Sequence, residues 1–384
     1  MKIIINYGSM IERYQNYEWA AIKNPRQRAY RDLMIETSKV FVPKALAYVH
    51  AAAGNTSELR PLVGEIIEKK LFDEEKHQDG FETRAFFLRA CFEISTGEMW
   101  ERRLKGVGAA VELMLASMYH NNRIVDRKHN TYTPKTMGEQ SIAQGFNAFA
   151  LFSLIGQSTN LNLEEKNYIS TVLANTGMAV MEGQFLDSSV LIYNDGIELP
   201  QIEALERRNY LINAVFYEAI ADIACRLTGW YGKKRESLIT FGRFFGIAQQ
   251  IVNDIGDFTP QLGNLPTDEK LPTDAYSDFR NGRITVPIWL ALKSLQGDER
   301  AWFAERLGKG DLSMEDSDKV TLLLWHRGLI REAQKVAQSY ADKAREAIAS
   351  YPENERIPFS ELLVVTRTNR YYRVLRDFAQ ERIV

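Results

Sequence analysis

Apolar residues recur at intervals of three and four along most of this chain, and no convincing run of alternating apolar and polar positions occurs. That spacing predicts amphipathic helices over 28–53, 84–96, 101–125, 136–156, 163–188, 205–230, 234–257, 283–296, 315–350 and 358–380, parted by short Gly, Asn, Pro or Asp breaks. The fold class that follows is all-α, a single large helical bundle. Two stretches interrupt the pattern. Residues 70–82, "KLFDEEKHQDGFE", form a charged break that sets an N-terminal helical extension, 1–75, apart from a main helical domain, 76–384. Residues 259–277, "TPQLGNLPTDEKLPTDAYS", are rich in Pro, Asp, Thr and Gly and predict a loop. Such a loop is either a lid beside a site or an ordinary surface insertion.

One predicted helix is unusual. In "FFGIAQQIVNDIGDF", 244–258, Gln250, Asn253, Asp254 and Asp257 stand at i, i+3, i+4 and i+7 and share one face. Carboxylates and amides so placed offer hard oxygen ligands to Mg²⁺, which binds through one or two carboxylates plus substrate phosphate. The alternative is a solvated stripe, but the flanking residues are very apolar for an exposed helix. Weaker polar groups occur elsewhere. Asn122 and Asp126 share a face at the end of an apolar helix, and Gln184 and Asp187 follow the apolar run "TVLANTGMAV". Asp278, Arg280 and Arg283 precede the apolar segment "ITVPIWLAL"; arginines there either hold phosphate oxygens as forked donors or are plain surface cations.

Composition narrows the class. The 384 residues are 45% hydrophobic and 26% charged, enough apolar material for a large core. A formal charge of −2 argues against a sequence-independent nucleic-acid binder. Cys91 and Cys225 fall in apolar helical stretches and suit core thiols in a reducing compartment. The start, "MKIIINYGSMIERYQ", does not read as a signal peptide, and no segment has the roughly 18 uncharged apolar residues of a membrane span. A cytoplasmic location is the expectation.

Taken in order, these groups resemble the trans-isoprenyl diphosphate synthases of the class I terpene synthase superfamily. That family carries FQxxDDxxD followed by a loop and D-x-x-x-G-K-x-T-x-P. Here the chain reads Gln250-Ile-Val-Asn253-Asp254-Ile-Gly-Asp257, then Asp278-Phe-Arg-Asn-Gly282-Arg283-Ile-Thr285-Val-Pro287. The family's GQxxD is similar to Gly183-Gln184-Phe-Leu-Asp187, and its first Asp-rich motif to the stretch Ala116 to Asn122. Arg84 lies 37 residues before Asn121, the spacing of the family's early arginine. The resemblance covers about 80 to 367. It implies an isoprenoid synthase helical fold and a homodimer. It implies Mg²⁺ on Asn122, Asp126, Asn253, Asp254 and Asp257, with Gln250, Asp254 and Asp257 in the chemistry. Arg84, Gln184, Asp187, Asp278, Arg280 and Arg283 would bind an isoprenyl diphosphate.

The departures from the pattern shape the functional expectation. Asn121 and Asn122 replace the leading aspartates of the first motif, and Asp126 sits one place later than that motif would put it. Asn253 opens the second motif. Asn253, Asp257 and Gln261 also resemble the spacing of the metal motif of terpene cyclases, with Gln261 a poor stand-in for its acid. The segment that holds isopentenyl diphosphate in the family corresponds to Gly80-Phe81-Glu82-Thr83-Arg84, its following arginine pair to Thr131 and Tyr132, and its lysine for the allylic diphosphate to Tyr217. Each lost charge-assisted contact removes roughly 1.5–3 kcal/mol. The reading is therefore a diverged terpene synthase or prenyltransferase that ionises an allylic diphosphate without isopentenyl diphosphate. The alternative is a catalytically silent subunit paired with an active synthase.

Overall fold

The computed structural model describes residues 25–54, 58–75, 83–94, 100–126, 136–196, 198–258 and 276–365, with Thr56 and Thr96. Among them the chain is helical, and the one pairing of extended backbone is an isolated bridge between Ile192 and Arg283. The helices run α1 Pro25–Ala52, α2 Leu59–Glu75, α3 Thr83–Glu93, α4 Trp100–Val125, α5 Met137–Gln157, α6 Leu163–Phe185, α7 Ile202–Asn209 and α8 Val215–Thr228. They continue with α9 Lys233–Gly256, α10 Ser277–Arg280, α11 Val286–Ser294, α12 Gly297–Arg306, α13 Met314–His326, α14 Leu329–Ala347 and α15 Glu353–Val365. Two π-helical turns, Leu186–Val190 and Tyr210–Ala214, follow α6 and α7.

Local chemistry fixes several ends. Thr136 and Glu139 form a reciprocal capping box at the start of α5, and Asn162 and Glu165 form another on α6. Gly229, left-handed at φ 71°, closes α8. α9 is the central element, packed on α8 and α14. It approaches its neighbours closely because Gly242 and Gly246 carry no side chain: a Cβ on Gly246 would lie 2.4 Å from Ala214 Cα. Rings fill the space beside that contact. Phe87, Phe241, Phe245, Phe359 and Tyr217 pack together, with Tyr217 and Phe245 edge to face at 4.8 Å. α1 and α2 join the same core, Phe41 of α1 seating directly over Gly108 of α4. Both cysteines are buried and free. No described helix is long and apolar enough to cross a membrane.

The structure redraws four of the expected helices. The segment 315–350 is two helices, α13 and α14, because Gly328 turns left-handed at φ 71° between them. The segment 283–296 begins as a helix only at Val286, since Arg283–Thr285 run extended beside Ile192 and the Tyr193 N–H donates to the Gly282 carbonyl at 2.7 Å. The segments 163–188 and 205–230 each contain a π-helical turn where the periodicity predicts plain α-helix. Periodicity does not pick out α2 or α12, and α2 carries residues 70–75, the first part of the expected charged break, inside a helix. Residues 76–82 and 259–275 lie outside the described residues, as do Gln261, Thr131 and Tyr132.

Candidate active site

The two π-helical turns flank one cavity of about 370 Å³, within the size range of small-molecule sites. α4 supplies Leu115, Met118, Tyr119, Asn122 and, just past its end, Asp126. α9 supplies Gln250, Asn253, Asp254 and Asp257 from the opposite wall, Asp257 being its C-cap. Gln184, Asp187, Arg208 and Asn213 enter from α6, α7 and the π turns, Arg84 from α3, and Asp278 and Arg283 from the segment around α10. Apolar side chains of Leu115, Met118, Val180 and Ile212 lie beside this polar rim.

An extra residue in a π turn rotates the chain at the point where it occurs, and here that rotation serves the cavity. The first turn brings Asp187 inward, 3% exposed, between two arginines. Arg208 Nε donates to Asp187 Oδ1 at 2.7 Å, and its Nη1 donates to Asp254 Oδ2 at 2.7 Å and to Asn209 Oδ1 at 2.8 Å. Arg283 donates to Asp126, lies 3.2 Å from Asp187 Oδ2 and 3.5 Å from Asp278 Oδ1. A chain of alternating charge therefore crosses the cavity from Asp254 on α9 to Asp126 at the end of α4.

These groups titrate abnormally. Burial pushes the Asp254 carboxyl up to about 7; Arg208 pulls it down, and Asp278 and Asp187 push it further up. Burial works against the charged form of Arg208, yet Asp187, Asp254 and Asp278 outweigh it and raise its pKa above the ordinary value. Asp187, Asp126 and Asp278 do the same for Arg283. Both guanidiniums stay charged.

Most of the residues expected from the sequence thus meet at one place, but several differ in what they do. Arg280 does not line the cavity; its Nε donates to the Gly310 carbonyl at 2.8 Å, tying α10 to the loop before α13. Asp257 faces the cavity yet receives three donors from α10: Ser277 N at 2.8 Å, Ser277 Oγ at 3.1 Å and Asp278 N at 3.0 Å. Gln250 holds Asp254, its Nε2 donating to Oδ1 at 2.9 Å. Arg84 is engaged too, with Asn213 Oδ1 at 2.5 Å and the faces of Phe216 and Tyr217 at 5.3 Å. Tyr217 is fully buried and donates its hydroxyl to Gln249 Oε1.

Sequence reasoning misses Arg208. It adjoins Arg207, whose guanidinium reaches Glu182 on the surface. The signal lies in the register: Arg208 follows the buried Leu205 by three positions and precedes the buried Leu211 by three, so it falls on the inward face.

Among the described residues no three acidic, His or Cys side chains converge closely enough to hold a metal ion by themselves. The donor set nonetheless suits Mg²⁺ arriving with an anion. Five carboxylates (Asp126, Asp187, Asp254, Asp257, Asp278) face three guanidiniums (Arg84, Arg208, Arg283), so the ionised wall carries two excess negative charges. Their oxygens are hard ligands of the kind Mg²⁺ takes alongside substrate phosphate.

A polyprenyl synthetase family profile matches residues 78–324. The chain belongs to that family. Among polyprenyl synthetases, a geranylgeranyl diphosphate synthase of Methanosarcina mazei is 25% identical over 177 residues, 46% of this chain and 50% of that protein. Heptaprenyl diphosphate synthase component 2 of Geobacillus stearothermophilus is 26% identical over 66% of this chain and 75% of that one. Only about half the length of the first relative is spanned. In three dimensions, a polyprenyl synthase of Caulobacter crescentus, solved with calcium and isoprenyl diphosphate, superposes with a TM-score of 0.69 at 18% identity. It covers 88% of this chain and 97% of that one. A decaprenyl diphosphate synthase of Rhodobacter capsulatus gives 0.66 at 18% identity over 92% of this chain and 99% of that one. The fold is that of these synthases.

Proposed function

We propose that this polyprenyl synthetase binds an allylic isoprenyl diphosphate in the cavity and ionises it, without isopentenyl diphosphate as acceptor. The observation that carries the reading is the meeting of Asp126 and Asp254 across a cavity that also presents Arg84, Arg208 and Arg283 and an apolar flank. Guanidiniums suit diphosphate oxygens as forked donors, and the apolar side chains suit a prenyl chain. Asn122 and Asp126 on one wall, with Asn253 and Asp254 on the other, are the residues that would hold Mg²⁺. When bound, that ion would supply positive charge to the departing diphosphate. The chain's own part is to orient the diphosphate with arginines and keep Asp254 in place through Gln250.

The absence of an isopentenyl acceptor rests on the substitutions near Glu82 and Thr131 in the sequence. Tyr217, where the family's lysine for the allylic diphosphate would stand, is a fully buried phenol bonded to Gln249, so in this reading the arginines alone hold that diphosphate. A homodimer is part of the same reading. Ile142 and Phe149 on α5 and Met178 and Phe185 on α6 are all exposed, a face suited to a second copy.

A second reading, the silent subunit, is favoured by one fact: the carboxylates on both walls already have internal partners. The name component 2 on one relative points the same way, toward a paired assembly. The deciding experiment incubates the purified chain with Mg²⁺ and geranyl, farnesyl or geranylgeranyl diphosphate, with and without isopentenyl diphosphate. Released diphosphate and hydrocarbon without isopentenyl diphosphate is the expected result, lost in Asp254→Ala. Product only with isopentenyl diphosphate restores chain elongation; no turnover, with tight binding to an active synthase, selects the silent subunit.

A further inference from the structure

The order of charges across the cavity is Asp254, Arg208, Asp187, Arg283, Asp126, each bonded to the next. The arginine side chains are 3% and 5% exposed. Both oxygens of Asp254 already accept, Oδ2 from Arg208 and Oδ1 from Gln250. Asp187 likewise gives Oδ1 to Arg208 and Oδ2 to Arg283. A divalent ion that takes Asp254 Oδ2 or Asp126 Oδ1 in the absence of an anion competes with the guanidinium already bonded to that oxygen. The displaced guanidinium would lose a charged acceptor while still buried, with Arg208 left on Asp187 and Asn209 and Arg283 on Asp187 and Asp278, and that loss opposes entry of the ion alone.

A diphosphate changes that balance. It brings acceptor oxygens that match the forked donors of arginine, so a guanidinium can leave a carboxylate without losing a charged acceptor. The carboxylate so released is free for the ion. We propose that Arg208 and Arg283 are built-in counter-ions that keep divalent cations out of the empty cavity and surrender Asp254 and Asp126 to them only when a diphosphate takes over the arginine donors. Ion and diphosphate then enter as a coupled pair, and each raises the other's affinity by the same factor. This positioning role rests on the reading that the cavity receives a diphosphate, but it concerns binding, and its test needs no turnover.

The test titrates Mn²⁺, followed by the free-ion EPR signal, into the full chain with and without inorganic diphosphate, and repeats it on Arg208→Gln. The wild type is expected to bind Mn²⁺ about 5- to 150-fold more weakly without diphosphate than with it. Bridging of the ion by diphosphate alone would give that gap too. The distinguishing result is that Arg208→Gln binds Mn²⁺ alone more tightly than the wild type does, although a cavity residue has been removed. Its thermal midpoint, lowered without metal, should also rise more on adding Mn²⁺. Equal Mn²⁺ affinity in the wild type with and without diphosphate overturns the inference, whether or not the variant folds, and so does a variant no better than wild type at binding Mn²⁺ alone. Either result leaves the proposed function standing if allylic diphosphate is turned over. Binding of neither ligand to the folded wild type overturns both.

Discussion

Arg208 lies between Asp187 and Asp254 with a nitrogen 2.7 Å from each. A cation so deeply buried links π turn, α7 and α9 at the cavity wall. Removing it leaves the buried Asp254 without its cation and Asp187 with Arg283 alone. Arg208→Met should therefore cost about 3–5 kcal/mol of stability, the range for stranding a buried charge. Asp254→Asn added to it should recover part of that loss, because the stranded charge is gone. Urea unfolding without divalent ions measures both, and additive costs in the double variant would show that the two side chains are not coupled.

The pH dependence has a definite sign. Asp254 titrates at about 7 in the folded chain, because burial disfavours its charge more than Arg208 favours it. In the unfolded chain an aspartate titrates at about 3.9. Between those values the native state holds a proton that the unfolded state has lost. The stabilisation from this residue is thus fully present below about pH 4 and is lost as pH rises to about 7. Asp254→Asn should flatten that fall in a stability–pH curve. Turnover should run the opposite way, rising through pH of about 7 as the carboxylate becomes available, and a rate that falls over this range would remove Asp254 from the chemistry.

Much of this is legible in the sequence, and the reasons differ by element. The helical class follows from spacing alone, and the i, i+3, i+4, i+7 stripe at Gln250 to Asp257 lines the cavity as its face requires. Asn213 is less legible, because π turns have no signature in a 3.6-residue pattern and it sits in one. Arg280 is misjudged for a related reason: close to Asp278 in sequence, it faces the Gly310 loop, and a four-residue helix gives too little periodicity to assign faces. Arg208 looks like one of a surface pair. Whether an acidic group is free or already neutralised is a tertiary fact, beyond any motif.

The close approach at Gly246 should be intolerant of side chains. A Cβ there would sit 2.4 Å from Ala214 Cα and 3.0 Å from Ala214 N, both backbone atoms at the end of the second π turn. The Gly246 carbonyl also accepts from Asn213 Nδ2 at 2.9 Å. Gly246→Ala should push α9 off that turn and cost about 1–3 kcal/mol, the scale for overpacking, despite alanine's better helix propensity. Gly145→Ala, at a helical position where an added Cβ would meet nothing within 4 Å, is the control and should stabilise slightly. Thermal unfolding of the two single variants decides it.

Asp257 couples the end of α9 to the start of α10, taking the backbone N–H groups of Ser277 and Asp278. Asp278 and Arg283 then follow into the cavity. Asp257→Ala should cost about 0.5–2 kcal/mol, as for loss of a helix cap. It should also weaken binding of inorganic diphosphate, since Arg283 would lose its register. Asp257→Asn, which retains an acceptor oxygen for one N–H, should fall between. Calorimetric titration with diphosphate reads the binding loss; unchanged affinity in the alanine variant would confine Asp257 to stability.

The exposed apolar face of α5 and α6 should be covered in solution. Phe149 is 78% exposed and Phe185 60%, and large rings so open rarely sit alone on two adjoining helices of a monomer. A second copy of the chain would bury them by a two-fold contact in which each face meets itself. Phe149→Glu with Phe185→Glu places like charges opposite one another across that axis, so light scattering should fall from twice the 44.0 kDa chain to one chain. Because α6 also leads directly into the π turn that carries Asp187, the dissociated chain should bind diphosphate less well. A wild-type chain that scatters as a monomer at micromolar concentration would remove the two-fold contact and leave this face for a different partner.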